Sequence, residues 1–358
     1  MKKILTIIGA RPQFIKAAPL SKAIGEIKNF EEIILHTGQH FDEKMSDIFF
    51  NEMKIPLPKY RFNINNLNHG AMTGLMLKEI EMVLLTEKPD LVIVFGDTNS
   101  TLAGALAAKK LHLKVAHVEA GLRSFNNEMP EEINRILTDR ISDYAFCPSE
   151  QSVQNLKNEG YDNFNTEVVR TGDIMLDAMM MFADIAEEHS KIIDTVGREP
   201  FVLATIHRAE NTNNLSRLSS IISALESINN KIKIILPLHP RTQKIMVQAG
   251  IRTNLIIIEP VGYFDMLTLI KNCAWVMTDS GGLQKEAYFM KKFCITLRDQ
   301  TEWVELTRCG ANILVGADTD LIIQQSLKIA ETVFDLPAGL YGNGQVSKQI
   351  VSYLEKCI

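Results

Sequence analysis

The sequence predicts an α/β protein with parallel sheets, arranged as two domains of similar size. Three observations support this prediction. Short β-branched runs alternate with amphipathic stretches along almost the whole chain. The runs are apolar without alternation, as expected for strands that are buried on both faces. The length of 358 residues exceeds that of a usual single domain.

The first half contains six candidate strands separated by helical patterns. The strands are residues 3–8, 32–36, 91–95, 114–118, 144–147 and 167–170. Between residues 69 and 87, apolar side chains recur at the spacing of one helix face. Residues 100–111 are rich in Ala and Leu, which predicts a buried crossover helix.

The second half repeats this rhythm. Its candidate strands are residues 201–205, 231–237, 255–258, 275–278, 294–297 and 312–315. Helices are expected near residues 214–228, 263–271, 282–290, 318–332 and 345–355. The charged segment 184–199 is the least sheet-like stretch, so the domain boundary should precede it. We therefore expect one Rossmann-like domain over residues 1–171 and a second over residues 172–344.

Composition excludes several classes of function. With 38 basic and 43 acidic residues, the net charge of −5 argues against a protein that binds nucleic acid. Five scattered cysteines without CxxC spacing predict free thiols in a reducing cytoplasm. The N-terminal apolar run is too short for a signal peptide, and no apolar run is long enough to span a membrane. No HExxH or similar spacing predicts a metal site.

Polar clusters follow the candidate strands, where open α/β sheets bind their ligands. The clusters are residues 9–16, 96–100, 117–123, 207–211, 239–241 and 279–286. Any one of them could be ordinary loop chemistry. Six clusters at six strand ends predict a functional cleft.

The clearest anion site is the turn formed by Ser280, Gly281 and Gly282. Its glycines allow close approach of a phosphate to the N-terminus of the next helix, although a tight turn alone could also require them. Glu286, one turn further, could accept hydrogen bonds from a ribose diol or simply favour the helix dipole. The first strand is not followed by GxGxxG, and no GxxxxGK[ST] is present. We therefore expect no bound NAD and no P-loop.

Three carboxylates are candidates for proton transfer: Asp97, Glu119 and Glu131. Asp97 follows a candidate strand, Glu119 ends another, and Glu131 opens a helix. A half-buried carboxylate in a cleft can exchange protons near neutral pH. Asp97 could instead cap the next helix, and Glu131 follows a proline at a typical helix start.

Cationic and histidine side chains lie in the same clusters. Arg11 and Lys16 belong to the first domain, and Lys16 could equally be a solvated lysine. His207 directly follows a strand, which favours an acid–base role or a phosphate contact. His239 ends another strand of the second domain and precedes Pro240.

Eight motifs occur in the order typical of one family. They are GARPQFIK, HTGQH, GDTNST, HVEAGLRS, MPEEINR, the HR of TIHRAEN, TDSGGLQKEA and LRDQTE. The chain thus resembles the non-hydrolysing UDP-N-acetylglucosamine 2-epimerases over almost its whole length. The resemblance implies a GT-B-like fold: two Rossmann-like domains whose parallel sheets face each other across a cleft, with the C-terminal helix 345–358 joining the first domain.

The resemblance also implies a UDP-sugar substrate, no cofactor, no metal and a homodimer. UDP leaves by anti-elimination to give a 2-acetamidoglucal, and re-adds as C2 is protonated from the other face. The implied catalytic residues are Asp97, Glu119, Glu131 and His207. The implied substrate-binding residues are Arg11, Lys16, Arg135, His239, Ser280, Gly281, Gly282 and Glu286.

Some positions depart from the family pattern. The family usually has Glu at Gln13 and Arg at Trp303, and QHR is replaced by Gln39, His40 and Phe41. At these positions the sequence is similar to the branch of the family that acts on UDP-2,3-diacetamido-2,3-dideoxy-glucuronate. A carboxylated sugar would need a further cation, for which Arg298 and Arg241 are candidates.

Three other functions stay open from the residues alone. A GT-B glycosyltransferase would share the fold but would leave the three acids unexplained. A hydrolysing epimerase would share many of the motifs and would release UDP with a free sugar. A regulator that binds a nucleotide sugar without turnover would need the binding residues but not the acids.

Overall fold

The computed structural model describes residues 1–39, 55–332 and 334–358. The chain forms two compact units, one of Met1–Met180 with Gly339–Ile358 and the other of Met181–Ala338. The division falls within a helix, Ile174–His189, rather than at residue 171. The first turns of this helix make contacts with the C-terminal segment, which retains them in the first unit.

The first unit contains a seven-stranded parallel sheet. Its strands are β1 (Lys2–Ile8), β2 (Phe30–His36), β3 (Tyr60–Arg61), β4 (Leu91–Phe95), β5 (Lys114–Val118), β6 (Tyr144–Cys147) and β7 (Glu167–Arg170). Their order in the sheet is β3-β2-β1-β4-β5-β6-β7. Every residue of the central strand β4 is buried, which confirms the expectation from its unbroken apolar run.

In the described part of the chain, six helices of the first unit directly precede or follow these strands. They are α1 (Arg11–Gly25), α2 (His69–Glu87), α3 (Asn99–Lys110), α4 (Pro130–Ile141), α5 (Glu150–Asn158) and α6 (Ile174–His189). Helix α2 has the predicted bounds, and it buries Met72, Met76, Ile80 and Leu84. Leu75, which belongs to the same sequence pattern, is exposed at the edge of this face.

Glu87, the last residue of α2, connects the helix to two strands. Its carboxylate accepts hydrogen bonds from Lys3 Nζ at 3.0 Å, Lys59 Nζ at 2.6 Å and the Tyr60 hydroxyl at 2.5 Å. The hydrogen bonds from Lys59 and Tyr60 lower the pKa of Glu87 to about 2. Edge strand β3, too short to be recognised from its sequence, is thereby attached to α2.

Replacing Glu87 by glutamine is expected to lower the free energy of unfolding by about 2 kcal/mol at neutral pH. The carboxylate has a lower pKa in the folded chain, so its stabilisation is present above its ordinary pKa of 4.5 and is lost as the pH falls toward about 2. Urea unfolding of both proteins across this acid range measures the effect. A difference that stays constant with pH would contradict it.

The second unit contains a six-stranded parallel sheet. Its strands are β8 (Phe201–Thr205), β9 (Lys233–Pro237), β10 (Ile256–Ile258), β11 (Val276–Thr278), β12 (Cys294–Thr296) and β13 (Asn312–Leu314). Its helices are α7 (Ile192–Val196), α8 (Ala209–Thr212), α9 (Leu215–Asn229), α10 (Pro240–Gln248), α11 (Tyr263–Asn272), α12 (Gly281–Phe289), α13 (Val304–Arg308) and α14 (Thr319–Ala330). The strand order is β10-β9-β8-β11-β12-β13.

Both sheets are doubly wound, which confirms the prediction of a two-domain α/β fold. The strand order reverses between β1 and β4 in the first unit and between β8 and β11 in the second. Such a reversal opens a crevice at the carboxyl ends of the two strands, and open α/β sheets bind ligands there. The loops that follow these four strands are therefore where the fold places a functional site.

The C-terminal helix α15 (Val346–Cys357) lies in the first unit. The carboxylate of Asp177 in α6 accepts hydrogen bonds from the amides of Val346 at 3.0 Å and Ser347 at 2.8 Å. It thus caps the amides at the start of α15. Ile350 and Leu354 are fully buried one and two turns along. Among the described residues, no helix is both long and apolar enough to span a membrane.

Candidate active site

Two carboxylates lie after neighbouring strands of the first unit. Asp97 follows β4, with a side chain that is 31% exposed, and accepts a hydrogen bond from Arg135 of α4. Glu119 follows β5 and forms an ion pair with Lys16 of α1, where both side chains are about nine-tenths buried. The structure therefore places two of the predicted acids beside two of the predicted cations.

The backbone around Asp97 is held by side chains from three other elements. The Phe95 carbonyl accepts a hydrogen bond from Gln13 Nε2 at 2.8 Å. The Gly96 carbonyl contacts His117 Nε2 at 2.7 Å. The Asp97 carbonyl accepts a hydrogen bond from Asn134 Nδ2 at 2.9 Å. These elements are α1, β5 and α4. Such contacts fix the direction in which a side chain at this strand end can point.

Gln13 explains one departure from the family pattern. Its amide oxygen accepts from the backbone of Gly9 at 2.8 Å and Ala10 at 3.0 Å, while its Nε2 donates to the Phe95 carbonyl. A glutamate could accept the first two bonds but could not donate the third. Gly9 itself is required by space, because a Cβ there would lie 2.1 Å from the hydroxyl oxygen of Thr37.

Glu119 has a left-handed backbone conformation, with φ of 74°. This conformation costs a residue other than glycine about 1 kcal/mol. It is held in place because the amides of Glu119 and Ala120 both donate to the Phe146 carbonyl, at 3.1 and 3.0 Å. Backbone strain of this kind is more frequent at functional sites than elsewhere, and the role of Glu119 stays a prediction.

The third predicted acid, Glu131, is exposed in the first turn of α4, whereas its neighbour Glu132 is buried. Glu132 accepts hydrogen bonds from the amides of Ser124 and Phe125, both at 2.9 Å, and from Arg135 Nη1 at 2.8 Å. Arg135 therefore bridges Glu132 and Asp97. Sequence reasoning missed Glu132, although its i, i+3 spacing to Arg135 was a signal that could have indicated the ion pair.

The two remaining predicted residues of the first unit lie on α1. Arg11 is the first residue of that helix and is partly exposed. Lys16 lies in the second turn and is 7% exposed. Its ion pair with Glu119 rules out a solvated lysine.

At the second reversal point, His207 follows β8 and Asp279 follows β11. The fully buried carboxylate of Asp279 accepts from the amides of His207 at 3.1 Å and Arg208 at 3.0 Å, and from Asn211 Nδ2 at 3.1 Å. His207 Nδ1 lies 3.3 Å from the same carboxylate, and the imidazole is 53% exposed. Asp279 thus orients His207, a role that sequence reasoning missed although Asp279 opens the DSGG motif.

The turn after Asp279 begins helix α12. The Ser280 hydroxyl accepts from the Leu283 amide at 3.4 Å and so caps the helix. Gly281 and Gly282 form the first turn, and Glu286 is buried in the second. The structure therefore places this glycine-rich turn at a helix N-terminus, as the sequence predicts.

Glu302 lies against this turn. Its carboxylate accepts from Arg298 Nη1 at 2.9 Å. Burial pushes the pKa of Glu302 upward, but the Arg298 and Arg208 guanidiniums hold it below its usual value. A Cβ on Gly281 would lie 2.2 Å from Glu302 Oε1. Only glycine leaves space for this buried ion pair.

Replacing Gly281 by alanine is therefore expected to destabilise the protein by about 1–3 kcal/mol, because the new methyl group must displace Glu302 from Arg298. Gly282→Ala is the matched control, since a Cβ there meets no atom closer than 4.0 Å. Chemical unfolding of the two variants measures the effect. Equal stabilities for the two would show that the contact with Glu302 does not matter.

The remaining basic candidates have structural partners. His239 caps α10, with Nδ1 accepting from the Arg241 amide at 3.2 Å. Arg241 is exposed and donates to Asn213 at 2.8 Å. Arg298, 2% exposed, faces Glu302. Of the two cations considered for a carboxylated sugar, only Arg241 is accessible.

Trp303 occupies the position where the family usually has arginine. The indole is buried, and Nζ of the buried Lys285 lies 3.9 Å from the ring centroid. A cation over an indole face is a favourable contact. A positive charge is therefore present beside Trp303, supplied by α12.

Two further expectations concern cysteines and metals. All five cysteines are free. In the part of the chain that the structure describes, no group of three His, Cys, Asp or Glu side chains could hold a metal ion. His40 and Phe41, whose departure from the family pattern concerned an effector site, lie outside the described residues.

Comparison with known proteins supports the same interpretation. The sequence profile of the UDP-N-acetylglucosamine 2-epimerase family matches residues 22–355. A protein from Pseudomonas aeruginosa, UDP-2,3-diacetamido-2,3-dideoxy-D-glucuronate 2-epimerase, is 54% identical over 356 residues, which cover 99% of each chain. The UDP-N-acetylglucosamine 2-epimerase of Escherichia coli is 32% identical and covers 99% of this chain and 98% of its own.

The fold is also similar to that of a solved epimerase structure. The UDP-GlcNAc 2-epimerase of Methanocaldococcus jannaschii, in complex with UDP-GlcNAc and UDP, superposes with a TM-score of 0.90. It is 43% identical, and the match covers 99% of both chains.

Two doubly wound units with polar side chains at both reversal points are typical of α/β enzymes that bind nucleotides. The acidic, basic and imidazole groups at these strand ends are of the types that transfer protons and bind anions. The chain belongs to the UDP-N-acetylglucosamine 2-epimerase family. It is thus an epimerase, and therefore an isomerase.

Proposed function

We propose that this enzyme interconverts the C2 epimers of a UDP-linked 2-acetamido sugar without a cofactor. The observation that carries the proposal is the pairing of Asp97 with Arg135 and of Glu119 with Lys16 after neighbouring strands of one sheet. Inversion at C2 needs a group that removes a proton from one face and a group that returns it to the other. Two oriented carboxylates meet this need.

The C2 proton has no adjacent carbonyl, so direct abstraction is unfavourable. In the proposed reaction a carboxylate accepts the C2 proton while the C1–O bond to UDP breaks, which gives a 2-acetamidoglucal. UDP then re-adds at C1, and a carboxylic acid protonates C2 from the opposite face. Asp97, Glu119 and Glu131 are the proposed proton carriers, and Arg135 and Lys16 orient the first two.

The second unit supplies the proposed groups for UDP. Ser280, Gly281 and Gly282 present the N-terminus of α12 to the diphosphate. His207, oriented by Asp279, would stabilise the departing UDP. Glu286 would accept hydrogen bonds from the ribose, and Arg11 and His239 are further proposed contacts of the substrate.

We propose UDP-2,3-diacetamido-2,3-dideoxy-glucuronate as the preferred substrate and UDP-N-acetylglucosamine as the second candidate. The first is supported by the Pseudomonas aeruginosa relative and by the exposed Arg241, a cation accessible to a carboxylated sugar. The second is supported by the other relatives named for it.

The decisive experiment is NMR of the enzyme with each sugar in deuterated water. Deuterium should enter C2 of substrate and product, with faster turnover of the diacetamido-uronate. Product without deuterium at C2 would rule out the elimination. Release of UDP only when an acceptor is added would indicate a glycosyltransferase, and free sugar with UDP would indicate a hydrolysing enzyme.

We further propose a cytoplasmic homodimer. The five free cysteines support a reducing compartment. Helix α2 exposes Leu75, Met82 and Leu85 along one side, which supports self-association through this helix. Sedimentation equilibrium should give a dimer mass for the natural chain and a monomer mass for Leu85→Lys. A monomer for both would overturn the proposal.

A further inference from the structure

His117 of β5 is completely buried, and both of its ring nitrogens have a partner. Nδ1 lies 2.7 Å from Asp139 Oδ1 on α4. Nε2 lies 2.7 Å from the carbonyl oxygen of Gly96. A neutral imidazole has one N–H donor and one acceptor nitrogen, so the nature of the two partners determines its protonation state.

Both partners can only accept. A carbonyl oxygen has no proton, so Nε2 must carry one. The second oxygen of Asp139 already accepts from the Gly121 amide at 3.1 Å and from Arg123 Nη1 at 2.7 Å. Arg123 is charged at any physiological pH, and its contact with Asp139 favours the ionised form of this carboxyl group. Asp139 is therefore a carboxylate, and Nδ1 must also carry a proton.

The charges around His117 balance, with Glu159 at the exposed end of the cluster. Arg123 also forms a two-bonded ion pair with Glu159, at 2.6 and 2.8 Å. Two cations, His117 and Arg123, thus face two carboxylates, Asp139 and Glu159.

Two other ionisable groups, Cys147 and Tyr161, interact electrostatically with Asp139. Burial raises the pKa of both, so they remain uncharged. Loss of a proton from His117 would place a nitrogen lone pair against a carboxylate or a carbonyl at 2.7 Å.

The Gly96 carbonyl belongs to the peptide bond whose nitrogen is that of Asp97. We propose that His117 is an imidazolium that positions Asp97 for proton transfer at C2, acting through the Gly96–Asp97 peptide. This inference rests on the proposed function for the role of Asp97, but not for the charge of His117. Only a doubly protonated ring can donate one hydrogen bond to Asp139 of α4 and another to the Gly96 carbonyl after β4.

The protonation state is tested on the natural enzyme with ¹⁵N-labelled histidine. Long-range ¹H–¹⁵N spectra at about pH 7 should show both ring nitrogens of His117 protonated, whereas an ordinary histidine is mainly neutral at this pH. The signal is assigned by its absence in His117→Gln. If that variant does not fold, substituting the other histidines one at a time assigns it. An unprotonated ring nitrogen of His117 in this spectrum overturns the inference.

The positioning role is tested by kinetics. His117→Gln should lower kcat and C2 deuterium exchange by about 10²-fold, since small misplacement of a reacting group has effects of this size. The Kd for UDP should stay unchanged, because the proposed UDP contacts lie mainly in the second unit. His189→Gln, at an exposed histidine of α6, is the matched control with unchanged kcat.

The outcomes separate the two proposals. Unchanged kcat in a folded His117→Gln overturns the positioning role, and so does a parallel loss of UDP binding. Absence of C2 exchange in the natural enzyme would instead contradict the proposed function, while the ring-nitrogen spectrum would still report the charge of His117.

Discussion

Replacing Asp97 by asparagine is expected to lower kcat for epimerisation by about 10³-fold, the usual contribution of a positioned acid or base. Asparagine has nearly the same shape and can still accept a hydrogen bond from Arg135, but it cannot take up a proton at neutral pH. Binding of UDP should persist, since its proposed contacts lie mainly in the second unit. Steady-state kinetics and calorimetric titration with UDP measure both quantities.

The matched control for this variant is Asp162→Asn, which makes the same chemical change at an exposed position of the first unit. It should retain full activity. Thermal unfolding of both variants separates a loss of chemistry from a loss of structure. Full activity of a folded Asp97→Asn enzyme would remove Asp97 from the reaction and leave Glu119 and Glu131 as the candidates.

The largest effect on stability is expected for Asp139→Asn. The substitution leaves His117 and Arg123 as buried cations without their shared carboxylate, and removing one partner of a buried ion pair typically costs about 3–5 kcal/mol. Because the pKa of Asp139 is lowered in the folded state, its stabilisation is present at neutral pH and is lost as acid protonates it. The difference in free energy of unfolding between the natural protein and Asp139→Asn should therefore become smaller toward low pH.

Asp143→Asn provides the comparison. Asp143 also pairs with a cation, Lys109, at 2.9 Å, but both side chains are about one-third exposed. An exposed pair contributes about 0–1 kcal/mol, so this variant should be much closer to the natural protein in urea unfolding. Similar losses for the two variants would contradict the importance of burial at Asp139.

Much of the fold could be predicted from local pattern. Strands β4, β5, β6 and β8 and helix α2 have the predicted bounds. Each strand is a mainly apolar run and the helix has an apolar period, and turn residues mark their ends. Strand β3 was missed, because its two residues carry no such period and its position is fixed by β2 and Glu87. Secondary structure that depends on distant partners leaves little local signal.

The candidate site shows the same division. Residue type and strand ends predicted which side chains were chemically able to act, including Asp97, Glu119 and His207. They could not predict partners, because Lys16 and Glu119 are separated by 103 positions in the sequence. Nor could they decide between Glu131 and Glu132, which depends on the loop that Glu132 binds.

The capping of α15 by Asp177 has a consequence for the order in which the chain matures on the ribosome. The first unit includes Gly339–Ile358, so its last helix is synthesised only after the whole of Met181–Ala338. The second unit is continuous in sequence and can complete its fold as it emerges. The amino-terminal unit, although its synthesis begins first, is therefore finished last, because each nascent chain completes its carboxylate-bearing unit only after Gly339–Ile358 has been made.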